Sequence, residues 1–173
     1  IETSCDETSA AIIKADKNDT KTTLLSNIVA TSLSLHTKTG GIIPEIAARE
    51  QIKYIIPVIS EALAKANIKL SSVDTIAVTV GPGLIGSLLV GVETAKTFSF
   101  ILNKPITAVN HLFGHIYANF IKEENIEEKE IQFPSLALIV SGGHTDLVLI
   151  KQHRETEWLG GTRDDASGEA LDK

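Results

Sequence analysis

Apolar and polar residues alternate along this chain with two different periods, and the switches between them mark most of its elements. Residues 8–15 (TSAAIIKA) and 22–30 (TTLLSNIVA) read as strands on either side of the polar turn 16–21. Residues 44–67 carry Ile46, Ala47, Ile52, Ile55, Ile56, Ile59 and Leu63 at helical spacing. Pro44 suits a first helical position, whereas Pro57 is expected to kink or split that helix. A strand follows at 73–80, then a turn at Gly81-Pro82, an apolar helix at 84–102 and a short strand at 106–109. Residues 111–122 read as a helix and 123–130 (EENIEEKE) as a charged connector. Strands at 135–141, 145–151 and 155–159 lead to a helix starting at Asp165.

The order of elements predicts an α/β fold. One self-similarity refines it: IETSCDETSAAII (1–13) and LIVSGGHTDLVLI (138–150) share an apolar strand, a tight small-polar turn and a second apolar strand. That layout resembles the two phosphate-facing hairpins of the actin-like ATPase (ASKHA) fold, one at the start of each lobe. The expected division is a first lobe at 1–108 and the start of a second at 109–173. Ile1 reads as the tail of a strand and 165–173 as the first turns of a helix, so a fragment is expected, with the rest of the second lobe missing.

Composition narrows the function classes. The 173 residues are 43% hydrophobic and 22% charged, as in an ordinary globular protein. The net charge of −6 gives no overall attraction for phosphate backbones. Work on nucleic acid would need a local patch, another segment or a partner. The single cysteine, Cys5, excludes an internal disulfide and fits a reducing compartment. No apolar run is read as long enough to cross a membrane, and no signal-peptide pattern is seen at the start, so a cytoplasmic protein without a membrane partner is expected.

Five constellations carry candidate chemistry. His111 and His115 stand four apart; on a helix their imidazoles share a face and can grip one ion, or they are two surface histidines. Ser141-Gly142-Gly143-His144-Thr145 sits between apolar strands, either as a phosphate-binding turn or as a hairpin needing positive φ. Residues 2–8 (ETSCDET) form a polar turn that is either solvent-exposed or holds Asp6 and Glu7 as a base or cation ligands. Gly81-Pro82-Gly83-Leu84-Ile85-Gly86 matches G-x-G-x-x-G, but no acid ends the next strand, so a tight turn with close helix packing is the better reading. Asp165, Glu169 and Asp172 are spaced to share a helix face, as an acidic edge or as plain complements of a helix dipole.

Taken in order, IETSCDET, GGIIPEIAAR, AVTVGPGLIGSLLVG, VNHLFGH, LIVSGGHT and RDDASGEALDK resemble the tRNA N6-adenosine threonylcarbamoyltransferase family, TsaD in bacteria. The resemblance implies transfer of a threonylcarbamoyl group from threonylcarbamoyl-AMP to N6 of adenosine 37 in tRNAs reading ANN codons. It implies that His111 and His115 hold one divalent metal, Fe2+ or Zn2+, with a later Asp as third ligand. It implies that Ile139, Val140, Ser141, Gly142 and Gly143 hold the adenylate, that Asp172 lies near the ribose, and that Glu7 is a mechanistically important acid. The partners implied are tRNA and, if the source is bacterial, a fold-related TsaB-type dimerisation subunit and a small TsaE-type ATPase. Three positions depart from the family pattern: Thr39 for Tyr, Gln51 for His and Phe113 for Glu. Phe113 argues against an acid between the histidines acting as a base, and the run H-L-F-G-H has Leu112 where a metalloprotease H-E-x-x-H needs its acid. The paired histidines argue against the smaller, non-catalytic paralogue and against a sugar or acetate kinase of the same fold.

Overall fold

The computed structural model describes residues 1–15, 22–32, 42–123 and 131–172; of Glu123 and Asp172 it describes the backbone alone. The turn expected at 16–21, Thr39 and most of the charged connector fall outside these residues. The chain forms two compact units, Ile1–Gly114 with Ile121–Ile126, and His115–Phe120 with Glu127–Lys173.

In the first unit, β1 (Glu7–Ala15) and β2 (Thr22–Thr31) are antiparallel, and a short β5 (Ile121–Glu123) adds to β2 in parallel. Helix α1 (Pro44–Lys65) lies on this sheet, with Ile55, Val58, Ile59 and Ala62 packed around Ala10. Pro57 does not split α1: one helix runs through it. Pro57 removes a backbone donor at a cost of roughly 3 kcal/mol, offset by burial of Ile55, Val58, Ile59 and Ala62 along the same helix.

Strands β3 (Ile76–Gly81) and β4 (Ile106–Asn110) form a parallel pair, as β-α-β connection through helix α2 (Ile85–Leu102) requires. β3 starts at Ile76, later than the apolar pattern suggested, and is preceded by a 3-10 turn at 70–72. Ile1 hydrogen-bonds in both directions with the β3 backbone, at Ala77 and Thr79. Helix α2 corrects one expectation: by length and composition it is apolar enough to cross a membrane. It nevertheless buries Ser87, Gly91 and Ala95, packs on β3 and α1, and carries a Glu93–Lys96 ion pair.

Helix α3 (His111–Ala118) crosses the division between the units. It is shorter than the helix expected at 111–122. Asn119 ends it, its side-chain amide donating to the carbonyls of His115 and Ile116, and the chain then leaves to form β5. In the second unit β6 (Ser135–Val140), β7 (Thr145–Gln152) and β8 (Glu155–Gly161) make an antiparallel meander. Ile116, Val148 and Ile150 form its core with Ile139 and Phe133. Helix α4 (Ser167–Asp172) follows. It begins after Asp165, so Asp165 is not on a helical face with Glu169 and Asp172 as the spacing suggested; Asp165 instead accepts a hydrogen bond from Thr162 Oγ1 through its carbonyl.

Candidate functional site

The polar turn at 2–8 is not a solvent-exposed loop. Thr3, Ser4 and Thr8 are buried. Gln51, on α1 and itself 1% exposed, donates from Nε2 to the carbonyls of Cys5 (2.9 Å) and Glu7 (3.0 Å). Ser32 donates to the Asp6 carbonyl from both its backbone N–H and its hydroxyl. From the other side, Leu84 N–H donates to the Ser4 carbonyl at 2.7 Å. A Cβ at Gly83 would lie 2.5 Å from that carbonyl oxygen, and one at Gly91 would collide with Thr3 Oγ1. Of the glycines in 81–86, Gly83 serves close packing against residue 4, Gly86 makes an ordinary contact with Ala48 of α1, and Gly81 has open space but a φ of +151° that side chains rarely adopt. The tight-turn reading of the G-x-G-x-x-G match holds.

This seating sets the side chains of the turn. Glu7 points outward and Asp6 is half-buried. Burial and the neighbouring Asp6 push the Cys5 thiol up, which makes it a poor thiolate and a poor nucleophile. Glu2 has a different environment. One of its oxygens accepts from Ser4 N–H; the other accepts from Thr79 Oγ1 and lies 3.2 Å from His111 Nδ1. Burial acts to raise the Glu2 carboxyl, but the hydrogen bonds from Ser4, Thr79 and His111 outweigh it and hold the group below its ordinary range. Ser4 Oγ is also 3.2 Å from His111 Nδ1.

His111 and His115 do lie on one helix, four residues apart, as their spacing predicted. Asn110 fixes where that helix starts, its Oδ1 accepting from the N–H groups of Leu112 and Phe113. Within the first unit, His111 has its Nδ1 turned to the Glu2 carboxylate, the arrangement that orients a ligating imidazole. Among the described residues no group of three or more His, Cys, Asp or Glu is arranged around a common point. A metal here would need ligands beyond these two.

In the second unit, the turn between β6 and β7 is closed by Ser141 N–H to the His144 carbonyl (2.8 Å) and by His144 N–H to Ser141 Oγ (2.9 Å). Gly142 and Gly143 are exposed, neither has positive φ, and a Cβ on either would meet nothing. The turn itself does not require them to be glycine, contrary to the plain-hairpin reading. Gly168 of α4 does need to be small, since a Cβ there would sit 2.8 Å from the Ser141 carbonyl oxygen. Ser167 N–H donates to Thr145 Oγ1 at 2.8 Å, so α4 is fastened to the turn. Val140 is exposed beside the turn, whereas Ile139 faces the core of the unit. The Asp172 side chain lies outside the described residues.

A family model described as TsaD, tRNA N6-adenosine threonylcarbamoyltransferase, matches residues 23–173. The chain belongs to this TsaD family. Among curated TsaD-family relatives, the tRNA N6-adenosine threonylcarbamoyltransferase of Syntrophomonas wolfei is 50% identical over 173 residues, covering 100% of this chain and 48% of the relative. That of Bacillus subtilis is 51% identical, covering 100% and 47%. The chain thus spans about half the length of the curated relatives it matches. Two solved structures share its fold: YeaZ from Pseudomonas aeruginosa (TM-score 0.53, 17% identity, 92% of this chain and 61% of that one) and an uncharacterized protein with similarity to peptidase YEAZ from the same organism (TM-score 0.51, 18% identity, the same shares). The fold is accordingly the mixed α/β, actin-like one that the paired hairpins suggested.

Two contributors had little signal in the sequence. For Gln51, only its burial under the turn reveals what it does. Glu2 meets His111 across 109 positions. Its one cue was an acid placed between an apolar residue and small polar ones at a strand end.

Proposed function

We propose that this chain is the first part of an enzyme that transfers the threonylcarbamoyl group of threonylcarbamoyl-AMP to N6 of adenosine 37 in tRNAs reading ANN codons. Family membership over residues 23–173 is the observation that carries the reading. The site adds chemical support. The donor is a mixed anhydride, so AMP is already a good leaving group, and positioning matters more than activation. The amine forms a bond to the carbamoyl carbon, the carbon–oxygen bond to phosphate breaks, AMP leaves with the electron pair, and N6 loses one proton.

The exposed turn Ser141-Gly142-Gly143 would hold the adenylate, because its bare backbone lets phosphate oxygens approach the N–H groups closely. Ile139 and Val140 would shape the strand end beside it, and Asp172 would approach the ribose. His111 and His115 would hold one divalent ion, Fe2+ or Zn2+, and His111 is oriented for this through its Nδ1. When bound, such an ion supplies Lewis acidity towards a carbonyl or phosphate oxygen. Glu7, exposed on a turn whose backbone is pinned on both sides, would take the N6 proton, with Asp6 next to it.

The partners proposed are tRNA, a fold-related TsaB-type subunit and a TsaE-type ATPase, working in the cytoplasm. Ile52 and Ile56 on α1, and Ile85 and Leu89 on α2, are large, apolar and exposed, and would suit a protein partner. Purified full-length protein, supplied with partner subunits, threonylcarbamoyl-AMP and unmodified tRNA, tests the reading. Donor-dependent labelling of adenosine 37 is expected, and Glu7→Ala should lower its rate 100-fold or so, as loss of a general base does. Full transfer by Glu7→Ala would remove Glu7 from the mechanism; no transfer by the unaltered protein would overturn the function.

A further inference from the structure

We infer that Glu2 is a positioning residue that fixes the tautomer and ring orientation of His111, so that Nε2 is the nitrogen offered to a metal. The inference rests on the metal reading above and adds a residue to it. Glu2 sits where few surface glutamates could be held: one oxygen takes the Ser4 N–H, the other takes the Thr79 hydroxyl and faces His111 Nδ1 at 3.2 Å. These bonds hold the carboxylate in place from β3 and from its own turn. Gly83 and Gln51 in turn clamp that turn.

An ionised carboxylate only accepts hydrogen bonds. The imidazole nitrogen facing it must therefore carry the proton, and the neutral ring is left with its lone pair on Nε2. Ser4 Oγ, also 3.2 Å from Nδ1, can accept from the same N–H. A carboxylate behind a ligating histidine is the arrangement that raises ligand basicity and fixes ring orientation at metal sites generally. The Thr79 hydroxyl donates to the same carboxylate oxygen that faces His111 and keeps the carboxylate from rotating away.

Glu2→Gln makes a discriminating variant. Its amide oxygen can still accept from Ser4 N–H, while its NH2 group can donate to Thr79 Oγ1 and to His111 Nδ1. The fold keeps its hydrogen bonds, but Nδ1 becomes an acceptor and the ring proton moves to Nε2. The experiment is run on the full-length protein with 15N-labelled histidine, and Zn2+ affinity is measured by competition with a chromogenic chelator. In the unaltered protein without metal, the His111 nitrogen shifts and two-bond couplings should report the Nδ1–H tautomer. In Glu2→Gln they should report Nε2–H, Zn2+ affinity should fall 10- to 100-fold, and the thermal midpoint should stay close to that of the parent. Thr79→Val, which loosens the carboxylate without removing it, should give a smaller fall in affinity.

The outcomes separate the two claims. If His111→Ala binds Zn2+ as the parent does, the metal reading itself fails. If His111→Ala loses Zn2+ but Glu2→Gln keeps both parental affinity and the Nδ1–H tautomer, the positioning role is overturned and the metal reading stands. If Glu2→Gln is unstable, the tautomer in Thr79→Val decides: an unchanged tautomer with unchanged affinity overturns the role.

Discussion

Gly83 and Gly142 differ in what they are for. Gly83 is required by the fold, because a Cβ there would press on the Ser4 carbonyl at 2.5 Å, and this contact is backbone and cannot swing aside. Gly142 has open space where a Cβ would go and ordinary φ. Gly83→Ala should therefore cost about 1–3 kcal/mol, as overpacking does, in chemical unfolding. Gly142→Ala should leave stability within about 0.5 kcal/mol while raising the KM for threonylcarbamoyl-AMP. Equal losses of stability from both would show that the turn at 141–144 has a structural demand not visible in its geometry. Both glycines were visible as motif positions in the sequence. Which one serves packing and which faces outward was not, since that depends on what comes near them from residues far away in the chain.

At the scale of elements, the decisive piece is the clamp on the 2–8 turn. Gln51 reaches from α1 to the carbonyls of Cys5 and Glu7, and its Nε2 is too far from the Thr3 carbonyl, at 3.5 Å, to add a strong bond. Gln51→Ala should cost about 2–4 kcal/mol by leaving two carbonyls short of a donor and a gap in a buried layer. Thermal unfolding checks this; a loss below about 0.5 kcal/mol, the range of ordinary surface changes, would mean that water replaces the amide. Most elements were legible as patterns. The alternation of β1, β2 and β6 to β8 and the helical spacing of α1 and α2 are local and survive in the fold. The failures have tertiary causes. β5 forms only because β2 offers Thr22 to Leu24 as a parallel edge, and α3 stops early because the Asn119 amide takes the carbonyls that another turn would have used. The span of α1 across Pro57 was missed for the same reason, since packing against β1 decides it.

For the whole molecule, the candidate chemistry is distributed. The clamped turn with Glu2, Asp6 and Glu7 and the first histidine belong to one compact unit; the second histidine and the open hairpin turn belong to the other. That His111 and His115 share one helix was legible from their spacing; that they hold a metal rests on the proposed function. The carboxylate behind His111 was not legible, because its partner is 109 positions away. The net charge of −6 gives this chain no overall pull on phosphate backbones, so the proposed tRNA would be held through a local patch, another segment or a partner. The most direct test of the central claim is donor-dependent labelling of adenosine 37 by full-length protein carrying His111→Ala and His115→Ala together. Labelling should fall at least 1,000-fold, roughly the 4 kcal/mol or more that losing a Lewis acid costs, with the variant still folded by circular dichroism. Labelling at the parental rate by that folded variant would contradict a metal held by this pair.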